Sequence, residues 1–134
     1  MFSKFSHYLP GKMHQRFSDS FHQLSIQKSD NYQQTQWQTM VNSDYLFLIY
    51  PETKQRYRVN GPYQTTCLSA KGFGAYISLL ILHDWATKMC QIGDFPYAHF
   101  FHYHYLDSKR HLNDYCRRMG IPQFEAKLIE RMIE

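Results

Sequence analysis

Cys67 to Cys90, CLSAKGFGAYISLLILHDWATKMC, is the stretch whose reading decides the fold. Between Tyr76 and Leu82 only Ser78 is polar. The segment therefore lacks the stripe of a surface helix and reads as a helix buried on most sides, which other elements must cover. Ser69 is a good N-cap, because its hydroxyl can accept from an orphan amide of the first turn, and the apolar run follows a few residues later. The helix is expected to start near Ala70. Gly72 and Gly74 cost helix propensity in its first turns, and a second backbone passing close by explains them better than a phosphate-cradling loop does.

Upstream of this helix the apolar period is two. Trp37, Thr39 and Val41 alternate with Gln38, Met40 and Asn42, and Tyr45 to Tyr50 is an apolar run of strand length. A hairpin turning at Asn42-Ser43-Asp44 joins them most simply. Pro51-Glu52-Thr53-Lys54 makes a second turn before a third strand, Gln55 to Val59, which Asn60-Gly61-Pro62 ends; a short fourth strand runs Gln64 to Leu68. Nearer the N-terminus, residues 1–11 read as an extended arm or short turn carrying Phe2, Phe5, Tyr8 and Leu9. Met13, Phe17, Phe21, Leu24 and Ile26 then recur at helical spacing, predicting a helix from Lys12 to Gln27 and a polar loop to Gln36.

Downstream, Gly93-Asp94 interrupts the pattern and Pro96 suits a helix start. One helix is expected from about Pro96 to His104 or Leu106 and another from Asp107 to Met119, or the two as one kinked helix. After Gly120-Ile121-Pro122 a last helix, Gln123 to Glu134, presents Phe124, Leu128, Ile129 and Met132. Strands followed by helices give an α+β fold: an antiparallel meander of three to four strands with four to five helices around a buried central one. At 134 residues, with eleven Tyr, ten Phe and 43% apolar residues, the chain reads as one folded domain, 1–134.

The formal charge of +4 excludes imitation of DNA by overall charge, and it tolerates an acidic partner or nucleic acid without demanding either. Cys67, Cys90 and Cys116 form no C-x-x-C pair, which suits a reducing cytoplasm. No apolar run is long enough for a signal peptide or a membrane span, so a cytoplasmic protein without membrane contact is expected.

Chemistry-bearing residues have plainer explanations. His99 and His102 share a helical face that His104 does not, and no H-E-x-x-H or C-x-x-C pattern supports them with His83 or Cys90, so they read as packing residues and no metal is expected. Asp84 meets Lys88 at i+4, a surface salt bridge. Ser69 has no G-x-S-x-G elbow and no orienting acid, so capping suffices and neither catalysis nor a cofactor is expected. Lys109, Arg110, His111, Arg117 and Arg118 form the densest basic group; positions 110, 114, 117 and 118 fall on one helical side, where Asp114 moderates the patch. A solvated face explains this group, with nucleic acid as a secondary partner through interleaved Tyr103, Tyr105 and Tyr115.

Spacing adds a likeness. Tyr32 and Trp37, Phe47 and Pro51, and Leu68-Ser69-Ala70 with Gly74 resemble the Y-x4-W, F-x3-P and L-S-A-x3-G pattern of the ArdB/KlcA antirestriction family. The apolar run Leu79 to Ala86, Leu112-x2-Tyr115 and the closing Ile129-x3-Ile133-Glu134 are similar to its later motifs, and Tyr8-Leu9-Pro10 to its F-L-P start. The chain departs from the pattern at Asp44-Tyr45-Leu46, where relatives carry a glycine-rich turn, and at Gly120-Ile121-Pro122, where they carry a His-Pro-Glu type link. It also has Glu134 in place of a terminal Asp and a longer segment from Gln91 to Tyr103.

The resemblance implies a small α+β protein of plasmids, phages and other mobile elements. Such a protein relieves type I restriction of incoming DNA, without enzymatic activity and without mimicking DNA. It implies a host defence complex as partner. If the chain binds such a complex directly, the expected surfaces are the hairpin turn (Asn42, Asp44, Tyr45), the basic face (Arg110, Arg117) and the carboxyl end (Glu134). A small nucleic-acid-binding module is the alternative reading, and an anti-CRISPR-type inhibitor on the same scaffold differs from the first only in target.

Overall fold

Ser69 begins the longest helix as a capping residue should: its Oγ accepts from the Gly72 amide at 3.1 Å. In a computed structural model, which describes residues 2–39, 47–62 and 64–133, the chain runs as a 3-10 turn (Phe2–His7) and α1 (Gly11–Lys28), then four strands: β1 (Trp37–Thr39), β2 (Ile49–Pro51), β3 (Tyr57–Asn60) and β4 (Thr65–Leu68). The helices α2 (Ala70–Gln91), α3 (Phe95–Arg110), α4 (Leu112–Met119) and α5 (Gln123–Ile133) follow. The class is α+β, with α2 at its centre in contact with α1, α3, α5 and strands β2 to β4. The central helix is buried all round from Gly72 to Leu79; beyond His83 it acquires a wet face with Asp84, Thr87, Lys88 and Cys90.

Gly74 and Ser78, one turn apart on the same face of α2, receive β2. A Cβ at Gly74 would collide with the Cα of Tyr50 and the carbonyl of Ile49, so the close backbone approach expected from the sequence occurs there. The single polar residue of the run serves the same crossing. Ser78 Oγ accepts from the Ile49 amide at 3.1 Å, with the carbonyls of Gly74 (2.7 Å) and Ile49 (3.1 Å) in reach of its proton. The hydroxyl thus satisfies backbone groups of a strand laid against a helix, groups that would otherwise be buried unpaired.

The strands do not form one meander. β1 pairs antiparallel with β2, Trp37 opposite Pro51, and β3 pairs antiparallel with β4, Tyr57 opposite Leu68, in two separate sheets. β2, β3 and β4 are shorter than expected, at three or four residues. The turn 42–44 lies outside the described residues. The supposed loop after α1 carries part of the pairing: Ser29 bridges Val59, and Asn31 accepts from the Arg58 amide and donates to the Arg56 carbonyl, both at 2.9 Å, so its side chain acts as a strand neighbour for β3.

The dense aromatics form the core. Phe17 lies 5.0 Å from Phe5, 5.4 Å from Trp85 and 5.3 Å from Phe101, ring centre to ring centre, while Tyr57 stacks on Phe73 at 4.6 Å. Two expected core residues are not there. Ile26 and Phe124 are more than half exposed; Ser25 and Glu125 beside them are fully buried. The buried face of α1 follows Phe17, Phe21 and Ser25, and that of α5 follows Glu125, Ala126 and Ile129. Pro96 stands second in α3, behind the Asp94 cap on the Tyr97 amide.

Candidate interaction surfaces

Four of the six residues assigned to target contact, Asn42, Asp44, Tyr45 and Glu134, lie outside the described residues. The other two do not share a helix. α3 ends at Arg110 and α4 begins at Leu112, so the helical side drawn through 110, 114, 117 and 118 is broken at His111. The His111 amide donates to the Asp107 carbonyl at 3.2 Å, and its ring Nδ1 lies 2.9 Å from the same oxygen, closing the end of α3. On α4, Asp114 lies 3.1 Å from Arg118 and 4.0 Å from Arg117. It thereby moderates the patch as the spacing suggests, although both pairs are exposed and contribute little to stability. Arg110 is exposed and Lys109 lies over the Tyr105 ring at 5.8 Å.

The Tyr32 and Trp37 pair builds a feature that composition and period did not single out. The Trp37 indole donates to Tyr32 Oη at 2.9 Å. Tyr32 Oη and His22 Nδ1 stand 2.6 Å apart, within hydrogen-bond reach of each other. Burial lowers the His22 pKa, against the opposing charge of Asp19, and raises that of Tyr32. His22 and Trp37 line a groove of about 510 Å³ with Gln34, Gln36, Gln38 and Glu52. Its wall, which also includes Thr35, is rich in amide donors and acceptors and suits recognition of polar groups. The pairing of His22 with Tyr32 spans a helix and a loop, and nothing in local periodicity signals it.

Glu125 is a fully buried carboxylate held by structure. Its Oε1 accepts from the Ser69 amide at 3.0 Å and the Ser69 hydroxyl at 2.9 Å, while Arg56 stands 3.6 Å from Oε2. It ties α5 to the start of α2. Among the other histidines, His104 packs against Phe47 and Phe100 at 4.8 and 4.7 Å, and burial lowers its pKa. His83, His99, His102 and Cys90 line an open cleft between α2 and α3. Among the described residues no group of three or more His, Cys, Asp or Glu is arranged to hold a metal ion, and no helix is long and apolar enough to cross a membrane.

Comparison with known protein families, curated proteins and solved structures gives no match to this chain.

Proposed function

We propose that the chain is an anti-defence protein that inhibits a host type I restriction-modification complex, or a related DNA-targeting defence system, through protein contacts. One observation supports the reading most: the residues that carry the likeness to the ArdB/KlcA family meet one another in the fold. Trp37 bonds Tyr32 and pairs with Pro51; Ser69 caps the helix in which Gly74 admits β2; Leu68, Leu112, Tyr115 and Ile129 are all buried. Cooperation of these residues in one scaffold supports a shared fold.

The charge of +4 supports contact with protein over imitation of DNA, because a mimic must present acidic groups where phosphates would lie. In this reading residues 42–45, the arginines Arg110 and Arg117, and Glu134 supply target contacts. The test is transfer of an unmodified plasmid into restricting and non-restricting hosts, with and without the protein, and a parallel arm in a CRISPR-bearing host. Transfer restored only in the restricting host is the expected result. Equal transfer with and without the protein in every host would sink the reading.

A further inference from the structure

Between α1 and the end of α2 runs a groove of about 570 Å³. Met13, Trp85, Met89 and Ile92 give it an apolar floor, and Lys12, Arg16 and Lys88 give it a cationic rim with one carboxylate, Asp19. Lys88 is engaged by Asp84 at 2.9 Å and lies 5.8 Å over the Trp85 ring; Gln15 donates to Asp19 at 2.9 Å. Lys12 and Arg16 form no ion pair among the described residues. The groove ends at Ile92, which is 72% exposed, and Phe95 beside it is 64% exposed.

That apolar knuckle is held in place. The amides of Ile92, Gly93 and Asp94 bond the carbonyls of Lys88, Cys90 and Met89 at 3.1, 3.1 and 2.9 Å, Gly93 takes a positive φ of 82°, and Asp94 caps α3. A turn closed so tightly presents Ile92 in a fixed orientation, so little ordering entropy opposes its burial by a partner.

We infer that this groove receives an amphipathic helix of a partner protein, with apolar residues on the Met13, Trp85, Met89 and Ile92 floor and carboxylates toward Lys12 and Arg16. A valley between two packed helices accepts a third in the manner of helix-in-groove recognition. The charge selects the class of helix, since two cations without ion pairs favour an acidic flank and reject a basic one. A second copy in the same face would oppose Lys12 and Arg16 to themselves with Asp19 as the one lining carboxylate. A nucleic acid would gain from the cations but not from the thioether and isoleucine floor.

The test uses the whole chain with methyl-labelled Met and Ile, followed by NMR. The peptide is about eighteen residues long, with Leu at i, i+3, i+4 and i+7 and Glu on the flanks. Comparison peptides carry Lys for Glu, or Ser for Leu. The acidic peptide is expected to bind saturably with shifts confined to Met13, Met89 and Ile92, and the comparison peptides about tenfold or more weaker. Lys12→Glu with Arg16→Glu, both exposed, is expected to weaken binding by a similar factor, about tenfold, whereas Lys54→Glu with Lys127→Glu, exposed and away from the groove lining, leaves it unchanged. Equal binding of the basic peptide, shifts elsewhere, indifference to the first pair of substitutions, or saturation of the same methyls by duplex DNA would overturn the inference. Because this experiment reads the groove and plasmid transfer reads anti-defence activity, failure of one is distinct from failure of the other.

Discussion

Glu125 and Ser69, fifty-six residues apart, share one oxygen: Oε1 accepts from both the Ser69 amide and the Ser69 hydroxyl, while that hydroxyl accepts from the Gly72 amide. A single buried carboxylate thus extends the cap of α2 into a joint between α2 and α5, with Arg56 supplying a countercharge at 3.6 Å. Breaking such a joint leaves buried donors without an acceptor. Glu125→Ala is expected to destabilise the chain by about 3–5 kcal/mol, and Ser69→Ala by about 1–3 kcal/mol, in urea unfolding. Asp84→Ala removes a shorter ion pair, 2.9 Å, yet an exposed one, and should cost about 0–1 kcal/mol. Equal effects at Glu125 and Asp84 would show that the joint contributes nothing beyond a surface pair.

The crossing of β2 over α2 makes an opposite test of intuition at Gly74. On helix propensity alone, Gly74→Ala should stabilise by about 1 kcal/mol. The added methyl would run into the backbone of Tyr50 and Ile49, which cannot swing aside as a side chain can. The expected result is a loss of roughly 1–3 kcal/mol, the usual range for overpacking. A gain in the urea midpoint would show that β2 does not lie so close.

Much of this arrangement is legible in the residues because it is local. Ser69 announces its cap, Gly74 announces the approach of a second backbone, and Asp84 finds Lys88 one turn on; each needs only neighbours in sequence, whereas at Gly72 it is the Glu125 carboxylate, not a backbone, that lies close. What escapes is non-local. Glu125 is charged, so the periodic reading of α5 puts it outside and Phe124 inside, although Ser69 bonds one carboxylate oxygen, Arg56 stands 3.6 Å from the other and Phe124 is 59% exposed. Likewise Ser25 is buried in place of Ile26 because its hydroxyl returns to the Phe21 carbonyl at 2.6 Å, removing the cost that polarity alone implies. The split into two sheets rests on pairings and on the Asn31 side chain that no alternation of apolar residues encodes. Of the surfaces, the Asp114 moderation of Arg117 and Arg118 was legible from spacing, whereas the break at His111 and the bond of His22 to Tyr32 were not.

Acid should weaken the fold through two histidines. Burial lowers the pKa of His22 and of His104, with Asp19 and Asp107 opposing it in turn. An unfolded histidine titrates near 6.5, so below about pH 6.5 the unfolded chain takes up protons that the folded chain resists. This contribution is fully present above about pH 6.5 and is lost as pH falls through the folded pKa values. At His22, as at His104, the cause is burial, which disfavours the charged imidazolium. The urea midpoint is expected to fall between about pH 7.5 and pH 5.5, and less steeply in His22→Gln, which removes one of the two titrating groups. A midpoint that rises over this interval would contradict the assignment.

The three cysteines give a probe of the same α4–α5 region without mutation of its core. Cys67 and Cys90 are exposed, whereas Cys116 is buried and its thiol is pushed up to about 12 by burial, with the charges of Glu125 and Glu130 acting in the same direction. The thiolate is the reactive form, so at about pH 8 a thiol reagent should modify two cysteines in the native chain and the third only after opening. If Glu125 holds α5 against α2, Glu125→Gln should speed modification of Cys116 while leaving Cys67 and Cys90 unchanged, because opening there exposes the thiol before global unfolding. Modification of all three at similar rates in the native chain would mean that the α4–α5 packing does not protect Cys116. An unchanged Cys116 rate in the variant would mean that the Ser69 joint and this packing open independently.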